Sequence, residues 1–364
     1  MIPSSMHVQM HQDLNVSNST LMIRSQWWFN TALLSVLLLV ASITVSVARA
    51  DEQNVHELEI GYMPILPVSQ LFVGIENGWL EDSGIKARLV SFQNGPAMVQ
   101  ALLAGQLDVA HVGIGPAMVA RAKGADIKVV ASSIVEQISF IGLESLTPFF
   151  NDGDATTAFK RFEQTNGRKP VITTFPVGSV PQTVLQYWLQ RKLGIDDSNI
   201  DIIYQGAAQV QQALLTGAVD GAMILEPAVS IVASRVPSAK VLASGEELFP
   251  GQPGAILAVR ESLIAEHPEL VQAMVDSHQK ATVLLNNDPE TAGVSVQKYV
   301  GGGRLKQELV VQAIHNSNKR FVADPNYILD GTREMHDFQN DIGTLKAPVN
   351  IDELFDLKFY GSVK

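Results

Sequence analysis

Three short turns in this 364-residue chain combine residue types that can hold an anion. In each turn a glycine, serine or asparagine precedes a proline, and this pattern predicts the end of a strand and the start of a helix. The first N–H groups of a helix lack partners within it and form the positive end of its dipole. We expect these turns to bind a ligand if the fold brings them into one cleft. Their candidate residues are Asn94, Gly95, Gly115, Gly178, Ser179 and Val180.

One carboxylate follows a predicted strand in the second half of the chain. Glu226 comes directly after residues 222–225 and can accept a hydrogen bond from an ammonium or hydroxyl group of a ligand. It can equally cap the helix that begins at Pro227, and the sequence favours neither role. Gln205 is a further ligand-binding candidate. His111 lies at an inward position of an apolar strand, which favours a hydrogen-bonded core residue over a ligand group.

Catalytic signatures do not support an enzyme. The segment Gly113-Ile114-Gly115 lacks the third glycine of a dinucleotide fingerprint, because Met118 stands at that position. The sequence contains no phosphate loop, Gly-x-Ser-x-Gly elbow or His-Glu-x-x-His motif, and no metal-ligand spacing. We therefore expect no catalytic residues, no cofactor and no bound metal.

An internal repeat indicates how these turns are positioned. Residues 93–132 align without gaps to residues 205–244 at an offset of 112, and twelve of the forty positions are identical. In each unit an apolar strand alternates with helices, which predicts parallel sheets covered on both faces. Gly105 and Gly217 occupy equivalent positions and are predicted to end a helix in the left-handed conformation. Two equivalent lobes are the expected result.

The predicted fold is therefore α/β, with two lobes that each contain a central, mostly parallel sheet. We expect residues 51–144 and 246–364 to form the first lobe and residues 145–245 the second. The segment Ala255–Val259 reads as a strand, followed by helices at Pro268–Asn286, Pro289–Tyr299 and Leu305–Phe321 that return to the first lobe. Two crossings, near 145 and 245, would form a two-strand hinge that closes the lobes around a ligand.

Residues 1–50 are typical of a leader rather than of the fold. Arg24 precedes an apolar run at 32–47, and Ala48-Arg49-Ala50 supplies small residues for cleavage before Asp51. Met22 fits the position of the initiator methionine better than Met1 does. The alternative to a cleaved leader is an uncleaved membrane anchor. The chain has no cysteine and so no lipid attachment site, which favours export through the Sec pathway to the periplasm. A net charge of −11 argues against a nucleic-acid partner.

Several segments, in the same order, resemble the nitrate, sulfonate and taurine branch of the ABC-transporter substrate-binding proteins, the NMT1/THI5-like family with its SsuA and TauA types. The resemblance covers nearly all of residues 57–364. The segments are Gly61-Tyr-Met-Pro64, Gly74-Ile-Glu-Asn-Gly-Trp-Leu80, Ala101-Leu-Leu-Ala-Gly-Gln-Leu-Asp108, Gly178-Ser179, Leu225-Glu-Pro227 and Glu266-His-Pro-Glu-Leu-Val271.

This resemblance implies a periplasmic-binding-protein fold of type II that presents a small solute to a membrane permease and its ATPase, without catalysis. We expect a monomer. By position, the loop containing Pro64, Leu66 and Gln70 resembles the first ligand loop of the family, and the turn at 178–180 resembles the turn that holds an anionic head group. Glu226 matches an acidic or polar position at a strand end. The apolar first loop departs from the taurine-type pattern.

Three other functions remain open at this point. A heteroaromatic ligand, such as a thiamine-precursor pyrimidine, would use the aromatic residues that end the strands, which are Tyr62, Phe92, Phe175 and Tyr204. An enzyme of the pyrimidine-synthase type would need reactive histidines in the cleft, and the chain lacks a histidine cluster in sequence. A sensor that reports its ligand to a receptor is the third possibility.

Overall fold

A computed structural model describes residues 55–151 and 154–361 of the chain. The strands are β1 (His56–Tyr62), β2 (Ile85–Ser91), β3 (Val109–Gly113), β4 (Ile127–Ser132), β5 (Ile138–Gly142), β6 (Val171–Thr174), β7 (Asp201–Tyr204), β8 (Gly221–Leu225), β9 (Lys240–Ala243) and β10 (Ala255–Arg260). The helices are α1 (Ser69–Glu76), α2 (Gly95–Leu103), α3 (Ile114–Ala122), α4 (Ala155–Asn166), α5 (Val180–Tyr187), α6 (Ala207–Thr216), α7 (Ala228–Arg235), α8 (Gly245–Leu248), α9 (Glu261–Glu266), α10 (Pro268–Asn287), α11 (Pro289–Gln297), α12 (Gln307–Asn316), α13 (Leu329–Asp341) and α14 (Ile351–Leu354).

The strands form two five-stranded sheets, and each sheet is the centre of one lobe. The first sheet has the order β2-β1-β3-β10-β4, and the second has the order β7-β6-β8-β5-β9. In the first sheet only β10 runs antiparallel to its neighbours, and in the second only β5 does. The predicted α/β class with mostly parallel sheets is confirmed.

The two sheets repeat each other in residue register, which confirms the duplication. Ile60 is opposite Val109 where β1 meets β3, and Ile172 is opposite Gly221 where β6 meets β8, so both partners shift by 112 residues. The antiparallel strands also correspond, because the pairing of β10 with β4 and the pairing of β5 with β9 each contain a register irregularity. Residues 112 positions apart in the sequence therefore occupy equivalent positions in the two sheets.

Equivalent aspartates accept equivalent backbone hydrogen bonds in the two units. Asp108 accepts a hydrogen bond of 2.8 Å from the backbone N–H of Glu59, and Asp220 accepts one of 2.8 Å from that of Val171, which lies 112 residues further on. Asp220 also accepts a hydrogen bond of 2.6 Å from Arg168. The glycines that precede the aspartates have φ values of 73° and 67°, as predicted for left-handed helix ends.

After the second unit, the chain returns to the first sheet. Strand β10 pairs with β3 and β4, and helices α10 and α11 pack on α1. The predicted helix at 305–321 is shorter than expected, because it ends at Asn316. Lys319 has a φ of 65°, and Phe321 forms a bridge to Ile134, so this segment leaves the helix to join the edge of the first lobe.

Apolar packing fills both faces of the first sheet. One core lies between this sheet and helices α1, α10, α11 and α12, and includes Phe72, Met274 and Ile314. The other core lies on the opposite face and continues into the second lobe, where it includes Phe140 and Leu185. The lobes are therefore in contact in this conformation.

The division at residues 145 and 245 stays a prediction. Strand β5 precedes residue 145 in the chain but pairs with β8 and β9 of the second sheet. We propose that the first crossing lies at residues 133–137, immediately before this strand. The second crossing would lie between β9 and β10, close to the position expected from the sequence.

The leader, its apolar run and the cleavage position before Asp51 lie outside the described residues. Among residues 55–151 and 154–361, no helix has the length and apolar character needed to cross a membrane.

Candidate ligand-binding site

Two adjoining cavities lie between the lobes. The inner cavity has a volume of about 30 Å³ and the outer one about 380 Å³. Ile65 from the first lobe and Phe175 and Leu225 from the second line both cavities, so these three side chains form the wall between them. The two cavities are therefore neighbours, and the outer one is more than ten times larger.

The three predicted helix starts meet at the inner cavity. Gly95 opens α2, Gly113 and Pro116 flank the start of α3, and Ser179 and Val180 open α5, and all of them line this space. The close approach depends on glycine: a Cβ atom at Gly113 would lie 2.7 Å from Cγ2 of Val180. The sequence pattern thus identified the turns, and the duplicated fold brings them together.

The turn at Gly178 and Ser179 is organised by its own helix. The Ser179 hydroxyl accepts a hydrogen bond of 3.4 Å from the backbone N–H of Gln182, and the N–H of Gly178 donates to Oε1 of Gln182 at 3.0 Å. Ser179 is the N-cap of α5 and lines the inner cavity at the same time. An anion at this turn would therefore meet a helix start whose geometry is already fixed.

Glu226 is a helix cap in this conformation and bridges the lobes. Its carboxylate accepts hydrogen bonds from the backbone N–H and the hydroxyl of Ser230, at 3.0 and 2.8 Å, and from the amide of Asn316 at 3.0 Å. Its backbone oxygen accepts from the N–H of Leu66 at 3.2 Å. Burial raises the pKa of Glu226, and the hydrogen bonds from Asn316 and Ser230 oppose that effect. Glu226 also lines the outer cavity together with Pro64.

The other candidates from the sequence lie around the cleft without lining these two cavities. Gln70 is buried inside the first lobe and donates to the backbone oxygen of Ser133 at 2.7 Å. Asn94 caps α2, and the N–H of Gln205 donates to the backbone oxygen of Thr174. Gly115 packs against Gly178 in the contact between the lobes. Whether each of the predicted residues contacts a ligand stays a prediction.

Two polar side chains of the inner cavity were not among the sequence candidates. His111 lies in β3 and is 4% exposed, and Gln137 lies between β4 and β5 and is 8% exposed. Burial and the neighbouring His278 lower the pKa of His111 well below its ordinary value, so the ring is neutral. The inward position of His111 was visible in the sequence, but Gln137 lies in a connecting segment without periodicity and gave no signal.

Charged groups are rare around this cleft. Neither cavity has a lysine or arginine among the described residues that line it, and Glu226 is the acidic one. Lys123 and Lys346 lie instead at a separate cavity of about 180 Å³ on the far side of the Gly178 turn. Within the described ranges, no group of three or more His, Asp or Glu side chains is placed to hold a metal ion.

Two sheets of this topology with a cleft between them define a two-lobed α/β fold. The fold matches the alkanesulfonate-binding protein SsuA from Xanthomonas axonopodis pv. citri, solved with MOPS bound, with a TM-score of 0.69 and 20% identity over 85% of this chain and all of that one. It also matches the periplasmic nitrate-binding protein NrtA from Synechocystis PCC 6803, with a TM-score of 0.71 and 13% identity over 84% and 87% of the two chains.

The chain belongs to the NMT1-like family, whose model matches residues 51–299. A Bacillus subtilis (strain 168) relative named "Putative aliphatic sulfonates-binding protein" is 26% identical over 90% of this chain and 94% of its own length. The family expected from the sequence is confirmed. These relatives are named as binding proteins, and the ligands in their names are those of the relatives.

Proposed function

We propose that this chain is the solute-binding component of an ABC importer and that it captures a small anionic or zwitterionic solute between its lobes. The observation that carries the proposal is the meeting of three helix starts at one mainly apolar cavity. In this proposal the chain is not an enzyme. It delivers the solute to a membrane permease and its ATPase, and it acts in the periplasm.

The lining of the inner cavity supports a solute with an apolar body. Met63, Ile65, Val180 and Leu225 line this space of about 30 Å³, which has room for one end of a short aliphatic chain, and the adjoining outer cavity of about 380 Å³ has room for the rest. The start of α5 at Ser179 offers hydrogen bonds and a positive dipole end to a negatively charged head group. An aliphatic sulfonate combines both features, and the named ligand class of the Bacillus relative supports the same choice.

Isothermal titration with ethanesulfonate, butanesulfonate, taurine, nitrate and bicarbonate tests the proposal. We expect a sulfonate to bind and the Ser179→Ala variant to weaken that binding by about tenfold, because one charge-assisted hydrogen bond is lost. Asp288→Ala is the matched control, since Asp288 caps α11 by accepting from Thr291 and does not line either cavity. Both variants lose an N-cap worth about 1 kcal/mol of stability, but only the first should lose affinity.

A neutral heteroaromatic solute is the second candidate, and one observation favours it. Neither cavity has a lysine or arginine among the described residues that line it, while Phe175 lines both and offers a ring to stack against. Binding of 4-aminopyrimidine without binding of any sulfonate or other anion would replace the first candidate with the second.

A further inference from the structure

His111 stands between the inner cavity and the interior of the first lobe. It lines the inner cavity, and it also lines a smaller space of about 10 Å³ inside the lobe, together with Gln70 and His278. The rings of His111 and His278 are stacked with centroids 5.8 Å apart. A polar cluster therefore lies beside a cavity whose lining is largely apolar.

Several buried polar atoms in this cluster have no hydrogen-bond partner within the described protein. Two of them, Nδ1 of His111 and Oε1 of Gln137, belong to residues that line the inner cavity. Behind them are Oε1 of Gln70 and Nδ1 of His278. Burying such atoms without a partner is unfavourable, so a cluster of them beside a cavity indicates that something else supplies the bonds.

Three of these four atoms are acceptors, whereas the hydroxyls of Ser132 and Ser133, which also lack a partner among the described residues, can donate. His278 donates from Nε2 to the backbone oxygen of Ser132 at 2.7 Å, so its neutral ring leaves Nδ1 as an acceptor. Gln70 donates its amide nitrogen to the oxygen of Ser133, which fixes its Oε1 as an acceptor as well. Gln137 presents its carbonyl oxygen. A solute group that satisfies Oε1 of Gln137 must therefore donate a hydrogen bond.

The donor must also be uncharged. Among the described residues that line the inner cavity there is no aspartate or glutamate, so a buried ammonium would lack a counter-charge there. Glu226 lies at the outer cavity, and both of its oxygens already accept hydrogen bonds from Ser230 and Asn316. Burial keeps His111 neutral through its lowered pKa, so the ring adds no charge of its own.

We propose that His111 and Gln137 form a recognition site for a neutral hydroxyl or amino group on the apolar body of the solute. This inference rests on the proposed binding function and narrows its solute class to hydroxylated or neutral amino-bearing compounds, in preference to plain alkanesulfonates and to ammonium-bearing ones such as taurine.

Three ligands that differ only in the substituent on the carbon furthest from the sulfonate, which is hydrogen, hydroxyl or ammonium, test this assignment by isothermal titration of the purified protein. Ethanesulfonate ends in a methyl group, 2-hydroxyethanesulfonate in a neutral donor, and taurine in an ammonium. We expect the hydroxyl compound to bind at least about tenfold more tightly than either of the others, because it satisfies acceptors that the others leave unpaired or meet with an uncompensated charge.

Two variants assign that preference to the proposed residues. Gln137→Met keeps the shape of the side chain and removes the acceptor, and His111→Phe keeps a ring and removes both nitrogens. In each folded variant we expect the preference for the hydroxyl compound over ethanesulfonate to fall below about threefold. Thermal unfolding without ligand checks that each variant folds, and Gln137→Met carries the test if His111→Phe does not.

The results separate this inference from the proposed function. Equal binding of ethanesulfonate and 2-hydroxyethanesulfonate by the unmodified protein, or an unchanged preference in the Gln137→Met variant, overturns the inference and leaves sulfonate binding intact. If no anion binds, the anion proposal fails, and 4-aminopyrimidine is compared with pyrimidine. A preference of about tenfold for the amino compound that Gln137→Met abolishes then supports the recognition site, and equal binding overturns it.

Discussion

Acidification should destabilise this protein through its two buried histidines. Burial lowers the pKa of His278 from 6.5 to about 4, although its hydrogen bond to Ser132 opposes that shift. Burial and the neighbouring His278 lower the pKa of His111 in the same direction. Because the folded state binds these protons less readily than the unfolded chain, the free energy of unfolding falls as the pH drops below 6.5. For His278 the fall ends near pH 4, where the folded state also becomes protonated.

The expected size follows from the pKa of His278. A shift from 6.5 to about 4 gives a loss of about 2 kcal/mol between pH 7 and pH 5, and about 3 kcal/mol by pH 4. His111 adds a loss of the same sign. Glu226 acts in the opposite direction, because its raised pKa makes protonation favour the folded state as the pH falls towards 4.5. The net loss near pH 5 is therefore smaller than the two histidines alone would give.

Urea unfolding followed by tryptophan fluorescence at pH 7 and pH 5 isolates the contribution of His278. The His278→Gln variant does not titrate there, and its amide can still donate to the oxygen of Ser132. Between the two pH values, we expect the free energy of unfolding of this variant to fall by about 2 kcal/mol less than that of the unmodified protein. Equal losses in His278→Gln and the unmodified protein would refute the reasoning.

Two further predictions use the repeat and the contact between the lobes. Asp220→Asn should lower the free energy of unfolding in urea by about 2–3 kcal/mol, and Asp108→Asn should lower it by about 1 kcal/mol. The difference is expected because Asp220 also binds Arg168, whereas Asp108 binds no arginine among the described residues. Equal losses in the two variants would contradict this reasoning. Gly113→Ala should weaken solute binding more than tenfold in titration, because the added Cβ would lie 2.7 Å from Val180 across the cleft. Undiminished affinity would mean that binding does not need this contact between the lobes.

The sequence predicted the elements well because their signals are local. Apolar alternation located the strands, and Gly105 and Gly217 were placed in the left-handed region from their position before each aspartate. The gapless repeat added long-range information, since two copies of one unit must form two similar sheets. The meeting of the three helix starts follows from the parallel strands, because each helix start comes after the carboxyl end of a strand and these ends face the cleft.

What the sequence could not predict depends on contacts between distant residues. Strand β5 is locally an apolar strand, but only pairing decides that it joins the second sheet. The role of Glu226 was undecided between ligand and cap because both need a carboxylate at one place, and Ser230 and Asn316 settle its partners in this conformation. Gln137 has no local pattern at all, since its importance arises from the cavity that the lobes enclose.

The position of the two antiparallel strands has a consequence for how the protein can be divided. Strand β10 lies between β3 and β4, although it follows the whole second unit in the chain, and β5 lies between β8 and β9, although it precedes that unit. A gene fragment that ends before residue 255 would encode β4 without the neighbour that pairs with it. During synthesis, the first lobe therefore cannot be completed until most of the second has emerged from the ribosome.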